Sequence, residues 1–183
     1  MRKIVAQLFY SLDGVVESPE NWVLDMVDEE AGGFVDQLTD RQDAVLLGRK
    51  TYDVWSEYWP TSEDGFAPFI NKVQKYVIST SLEAVDWQNS TLFNQNIYEN
   101  IAGLKQLPGK DIGIHGSITL VRSLLEQGLI DELALIVFPV MAGKGERLGE
   151  GLEKTQQLQL ANIERTQKGV LLLTYRLLES GQS

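Results

Sequence analysis

The sequence predicts an α/β layer fold with a central mixed, mostly parallel sheet that ends in an antiparallel hairpin. Three observations predict it. Short runs rich in Val, Ile and Leu recur at strand length, amphipathic stretches separate them, and a Lys168-Gly169 turn joins the last two runs. The runs are continuously apolar rather than alternating, which suits strands covered by helices on both faces. At 183 residues the chain reads as one domain, 1–183, long enough to bury about 70% of its unfolded surface without disulfides or metals.

The elements follow in order. Lys3 to Tyr10 is the first strand, and Glu29 to Leu38 has a weak helical stripe. Ala44 to Leu47 is the next strand, and it runs into Gly48, where Arg49, Lys50 and Thr51 open a helix at once. Pro60 to Pro68, with Ser62, Gly65 and two acidic residues, reads as a surface loop. Tyr76 to Ser79 and Ile112 to Ile114 are strands, and between them Asn96 to Leu107 is a helix stopped by Pro108-Gly109. In Ser117 to Gln127, Ser117 is the expected N-cap, Leu120, Val121, Leu124 and Leu125 form one stripe, and Gly128 ends the helix. Leu133 to Val137 is a strand, and Leu158 to Glu164 with Val170 to Leu177 makes the terminal hairpin.

Composition excludes several functions. The chain has no cysteine, hence no disulfide framework and no thiolate nucleophile, and its one histidine, His115, argues against a histidine-rich metal site, so no metal is expected. A net charge of -10 and a pI near 4.6 argue against nucleic acid as a partner. No run approaches the ~20 apolar residues that span a bilayer, and the N-terminus lacks a signal-peptide pattern, so a cytoplasmic location without membrane contact is expected.

Against that acidic background, Gly48-Arg49-Lys50-Thr51 stands out as an anion site. Unpaired N–H groups at a helix start carry partial positive charge, and the three side chains add two cations and a hydroxyl. Two other strand ends offer similar chemistry: Ser79-Thr80-Ser81, and His115-Gly116-Ser117-Ile118-Thr119, where Gly116 permits close backbone approach. Ligands of open α/β sheets bind at such carboxyl ends. Two helix starts and a hydroxyl-rich loop could meet the several anionic groups of a dinucleotide.

These residues carry a resemblance that covers nearly the whole chain. Leu46-Leu47-Gly48-Arg49-Lys50-Thr51-Tyr52, Val77-Ile78-Ser79-Thr80-Ser81 and the Ser11-Leu12-Asp13-Gly14 turn resemble the dihydrofolate reductase-like superfamily. Ile114-His115-Gly116-Ser117, Asp131-Glu132-Leu133 and Pro139 to Gly143 are similar to its riboflavin-biosynthesis reductase branch. The resemblance implies a three-layer α/β/α sandwich, a homodimer, and NADPH as the hydride donor to a small heterocycle such as a pterin or a ribosylaminopyrimidine. It implies that Arg49, Lys50 and Thr51, after Gly48, meet the 2′-phosphate, that Ser79, Thr80 and Ser81 flank the adenine ribose, and that Gly116, Ser117, Ile118 and Thr119 surround the pyrophosphate. Asp13 and Gly14 would lie near nicotinamide and substrate. A true dihydrofolate reductase would place Asp25 or Asp28, after Trp22, in the pocket; a non-catalytic NADP-binding protein is the other alternative.

Asp13 and His115 are the catalytic candidates. A histidine at an ordinary pKa of ~6.5 suits proton donation, and a hydrogen-bonded structural role is the alternative. Trp22 and Trp55 are candidate walls of a flat-ring pocket. Gly143 to Gly149 fits neither the dinucleotide nor the Walker glycine pattern and reads as a flexible loop.

Overall fold

The computed structural model describes residues 1–178. Eight strands form one sheet: β1 (Ile4–Ser11), β2 (Gln42–Gly48), β3 (Gln74–Ile78), β4 (Ser90–Phe93), β5 (Asp111–His115), β6 (Glu132–Phe138), β7 (Leu158–Arg165) and β8 (Leu171–Leu177). Their order across the sheet is β4-β3-β2-β5-β1-β6-β8-β7. The first six strands in this order pair in parallel; β8 is antiparallel to β6, and β7 to β8. The expected hairpin is therefore present, closed at Gly169, whose φ is +82°.

Five helices cover the sheet: α1 (Glu29–Asp40), α2 (Arg49–Tyr58), α3 (Ala67–Lys72), α4 (Ile97–Gln106) and α5 (Ile118–Glu126). The apolar stripes of α4 and α5, including Ile101, Leu104, Val121 and Leu124, pack on one face against Ile4, Leu46, Ile114 and Leu135. On the other face, α1 buries Phe34 and Leu38 over β1, β6 and β8, while α2 and α3 bury Tyr52 and Ile70 over β2 and β3. This is the three-layer arrangement. Each buried aliphatic side chain contributes roughly 1.5–3 kcal/mol, so the layers are held chiefly by these two interfaces.

Three local features depart from expectation. The stretch read as a surface loop contains a 3-10 turn, Trp59–Thr61, and Pro68 lies in the first turn of α3, where a missing N–H costs nothing. β4 is an edge strand of four residues, too short for a periodic signal. Lys75 interrupts the apolar pattern of β3 yet is fully buried. Its ammonium donates to the Ile70 and Val73 carbonyls at 2.9 Å and lies 4.5 Å from the Trp87 ring centroid. The helix end thus supplies acceptors for a cation that would otherwise be costly to bury.

Candidate active site

Parallel pairing brings the carboxyl ends of β3, β2 and β5 side by side. Gly48 is the N-cap of α2 and Ser117 that of α5. The Ser117 hydroxyl does not cap its own helix, as expected from sequence; it accepts the Gly48 N–H at 2.9 Å and donates to Thr51 Oγ1 at 2.8 Å. The hydroxyl is engaged between the two helix starts instead, and a Cβ at Gly48 would make only ordinary contact with Ser117, at 3.6 Å. On the other flank, Arg49 Nη1 donates to Ser81 Oγ at 2.6 Å and Nε to Asp53 at 3.3 Å. Ser79 Oγ accepts the N–H groups of Ser81 and Leu82, which folds the loop after β3 back on itself.

All three strand-end segments therefore share one edge, with two helix N-termini between them. Lys50 is 90% exposed and reaches only Glu146, 3.8 Å away. Thr80, Gly116 and Thr119 are exposed, whereas Ile118 is half-buried against the core. This edge can hold an extended polyanion through helix-start N–H groups, a guanidinium and hydroxyls.

Asp13 stands at the next strand end and has a different role from the expected catalytic one. Oδ1 accepts from Ser11 Oγ at 2.7 Å and Ala142 N at 2.9 Å; Oδ2 accepts from Gly143 N at 2.9 Å and faces Arg147 Nη2 at 3.4 Å. The Ser11 hydroxyl and the two N–H groups hold its pKa down to about 2, against the opposing effect of desolvation. An ionised carboxylate with these contacts anchors a loop and is a poor proton donor. The loop is the Gly143 to Gly149 segment. It is strapped down rather than flexible: Val15 bridges to Arg147, Val16 N donates to Glu146 O, and Leu148 N donates to Gly14 O. Arg122 adds a 3.0 Å ion pair to Glu146. A cavity of about 420 Å³ lies here, lined by Tyr10, Asp13, Gly14, Arg147, Gly149 and Glu150. Gly14 has φ +84° and would bring a Cβ within 3.2 Å of the Tyr10 hydroxyl, so the turn needs glycine.

His115 also departs from expectation. It is 5% exposed, its ring is edge-on to Phe66 at 5.4 Å and Phe69 at 6.1 Å, and Nε2 lies 2.9 Å from Gln42 Oε1. Burial pulls its pKa down to about 4, so the ring is neutral at pH 7 and the premise of an ordinary pKa fails. Trp22 lies in the core against Phe138 and donates to Glu17 O at 2.9 Å, which removes it from the pocket candidates. Trp55 remains at the edge: a Cβ at Gly116 would meet its ring at 3.6 Å, and it packs on Trp59 and Phe66. Asp25 is exposed, and Asp28 caps α1 by accepting Ala31 N at 2.9 Å, so neither supplies the carboxylate that a true dihydrofolate reductase would need.

Arg147, Gln7 and Gln42 escaped sequence reasoning. Gln7 did leave a signal, a polar residue inside the apolar run Ile4 to Phe9. Gln42 left none, because its orientation depends on a bulge.

The family model of the RibD C-terminal domain matches residues 2–172. The chain belongs to that family. The uncharacterized protein YyaP of Bacillus subtilis is 32% identical over 180 residues, covering 95% of this chain and 94% of that protein. A putative riboflavin biosynthesis protein from Shewanella sp. PV-4 superposes with a TM-score of 0.76 at 22% identity, over 97% of this chain and 99% of its own. Dihydrofolate reductase from Enterococcus faecalis, complexed with NADP(H), shares the fold with a TM-score of 0.65 at 12% identity, over 97% of each chain. The family is thus that of the RibD C-terminal domain, and the fold is the one shared with dihydrofolate reductase. Among the described residues no helix is long and apolar enough to cross a membrane.

Proposed function

We propose that this RibD C-terminal domain is an NADPH-dependent reductase that transfers hydride to a small heterocycle of the pterin or ribosylaminopyrimidine kind. One observation carries the reading: the Gly48–Thr51, Ser79–Ser81 and Gly116–Thr119 segments meet at one sheet edge, tied by the Ser117 hydroxyl and the Arg49–Ser81 contact. The donor set fits the cofactor. A half-exposed guanidinium held beside a serine hydroxyl, with an exposed ammonium next in sequence, suits a dianionic 2′-phosphate. Helix-start N–H groups of α2 and α5 would take the pyrophosphate. The cofactor, when bound, supplies the hydride; the protein binds, orients and excludes water.

Asp13 holds the 139–149 loop against the Gly14 turn and so shapes the substrate end. Trp55 flanks Gly116 and would bound the ring pocket. The protein takes no metal and no nucleic acid in this reading, acts in the cytoplasm, and functions as a homodimer. Arg49→Ala tests it. NADPH binding should weaken by roughly 1.5–3 kcal/mol, the worth of a charged hydrogen bond, while NADH binding hardly changes. Equal losses for both cofactors in a titration would overturn the assignment.

A further inference from the structure

The two faces of the sheet are filled differently. Beneath α4 and α5 the core is one continuous cluster, whereas the opposite face divides into one cluster beneath α1 and another beneath α2 and α3. The seam between them runs over β5, which contributes only Gly113 and His115 to its buried part. Gln7 stands beside His115 in register on β1, and Gln42 reaches His115 from β2.

Gln42 faces the seam because of a bulge. Between Gln42 and Ala44 the register with β5 shifts, so Gln42 pairs with Asp111 while Ala44 pairs with Ile112. Without the shift, Gln42 would share the α4/α5 face with Ala44; bulges re-aim side chains in this way. Gly113 completes the arrangement, since a Cβ there would overlap the Gln42 carboxamide. Gln42 Oε1 can only accept, so the His115 proton sits on Nε2 and fixes the carboxamide. That leaves Gln42 Nε2 buried with no acceptor and Gln7 Oε1 buried with no donor. The aromatic wall adds a third unpaired atom, the donor Trp59 Nε1. Three of the four such atoms among the described residues thus belong to this seam and its wall. Unpaired buried polar groups cost stability and call for a partner. Half-buried Phe66, which follows the exposed residues 63–65, closes the seam over His115.

We propose that Gln42 and Gln7 read the lactam edge of a flat, neutral heterocycle, which takes the place of Phe66 over His115 in the seam. Gln42 Nε2 donates to the ring carbonyl and Gln7 Oε1 accepts the ring N–H. His115 is a positioning residue that holds the Gln42 carboxamide. The inference rests on the reductase reading and specifies its substrate edge.

Lumazine, which has such an edge, and 1,3-dimethyllumazine, which keeps the carbonyls and lacks the N–H groups, are the probes, titrated calorimetrically with NADPH present. Lumazine should bind the wild type at least tenfold more tightly than its dimethyl derivative. Gln42→Leu and Gln7→Met should each weaken lumazine at least tenfold, and Gln7→Met should abolish the preference between the probes. Gln7→Met should melt no lower than wild type, because it removes an unpaired polar atom, whereas Gln42→Leu also takes the acceptor from the buried His115 N–H and should melt lower. Undetectable lumazine binding, variants within twofold of wild type, or equal binding of the two probes overturns the proposal. The wild-type comparison decides even if a variant fails to fold. A separate NADPH titration distinguishes failure of the cofactor reading, which would leave the lumazine result standing.

Discussion

Ser117 Oγ stands 2.8 Å from Thr51 Oγ1 and joins the starts of α5 and α2 through one hydroxyl, which also accepts the Gly48 N–H. The contact fixes the spacing of the two helix N-termini that face the proposed cofactor. Ser117→Ala would leave the Gly48 N–H without its partner, at a cost of about 1–3 kcal/mol. For a chain of this length that is a fall in Tm of roughly 2–12 °C. NADPH affinity should fall with it, since both helix starts lose their mutual tether. Thermal denaturation and a cofactor titration check this; a variant as stable as wild type would show that the two starts are held by packing alone.

Asp13 links the proposed substrate end to the 139–149 loop, and its low pKa gives that link a pH dependence. A carboxyl held at about 2 in the folded chain, against an ordinary 3.8, binds its proton more weakly than when unfolded. Its contribution is therefore complete above pH 3.8 and is lost as pH falls through 2. At neutral pH, Asp13→Ala should free the Ala142 and Gly143 N–H groups, which now donate to the carboxylate at 2.9 Å. Hydrogen exchange at these two amides should accelerate at least tenfold, while β6 stays protected. Unchanged exchange would mean that the backbone bonds from Val16 to Glu146 and from Leu148 to Gly14 hold the loop without Asp13.

Residue type and local period made most of the framework legible. The apolar runs and the Leu120, Val121, Leu124, Leu125 stripe are consequences of burial, and burial is written in composition. The proposed cofactor edge was legible for a related reason: glycine, hydroxyls and cations after apolar runs are local patterns. The proposed substrate end was not. Asp13 finds its partners about 130 residues away in the 142–147 segment, and a turn pair looks the same in sequence whether or not its carboxylate is engaged. Gln42 turns toward His115 only because Asp43 is an extra residue in the β2 ladder, and a one-residue bulge leaves no periodic trace. His115 carries no sign in sequence of the Phe66 and Phe69 rings that desolvate it.

That desolvation sets an acid limit on stability. His115 has a pKa of about 4 when folded and an ordinary value of 6.5 when unfolded, so the unfolded chain takes up a proton that the folded one resists. Stability from this residue is complete above pH 6.5 and is lost as pH falls through 4. The loss amounts to about 3 kcal/mol at pH 4. Urea unfolding of wild type and His115→Gln at pH 7 and pH 4 isolates the effect: the variant should lack about 3 kcal/mol of the wild-type decline. Parallel declines would show that carboxylates account for the acid sensitivity.

The proposed homodimer has a concrete surface in the terminal hairpin. A register shift between Leu160 and Asn162 sets Leu158, Leu160 and Ile163 opposite Leu177, Tyr175 and Leu173, so all six share one sheet face. Leu160 is 47% and Ile163 55% exposed. Exposed aliphatic side chains in a row on an edge strand mark an interaction site. The same face of the hairpin carries no acidic side chain among these six residues, so a second copy can approach a chain of net charge -10 there without direct like-charge contact. Sedimentation at micromolar concentration should give twice the 20.5 kDa of one chain. Ile163→Asp, which buries a carboxylate in that contact, should raise the dimer Kd at least tenfold and leave the melting temperature of the monomer near the wild-type value. A wild type that sediments as one copy, or a dimer indifferent to Asp at 163, would remove the hairpin face as the contact.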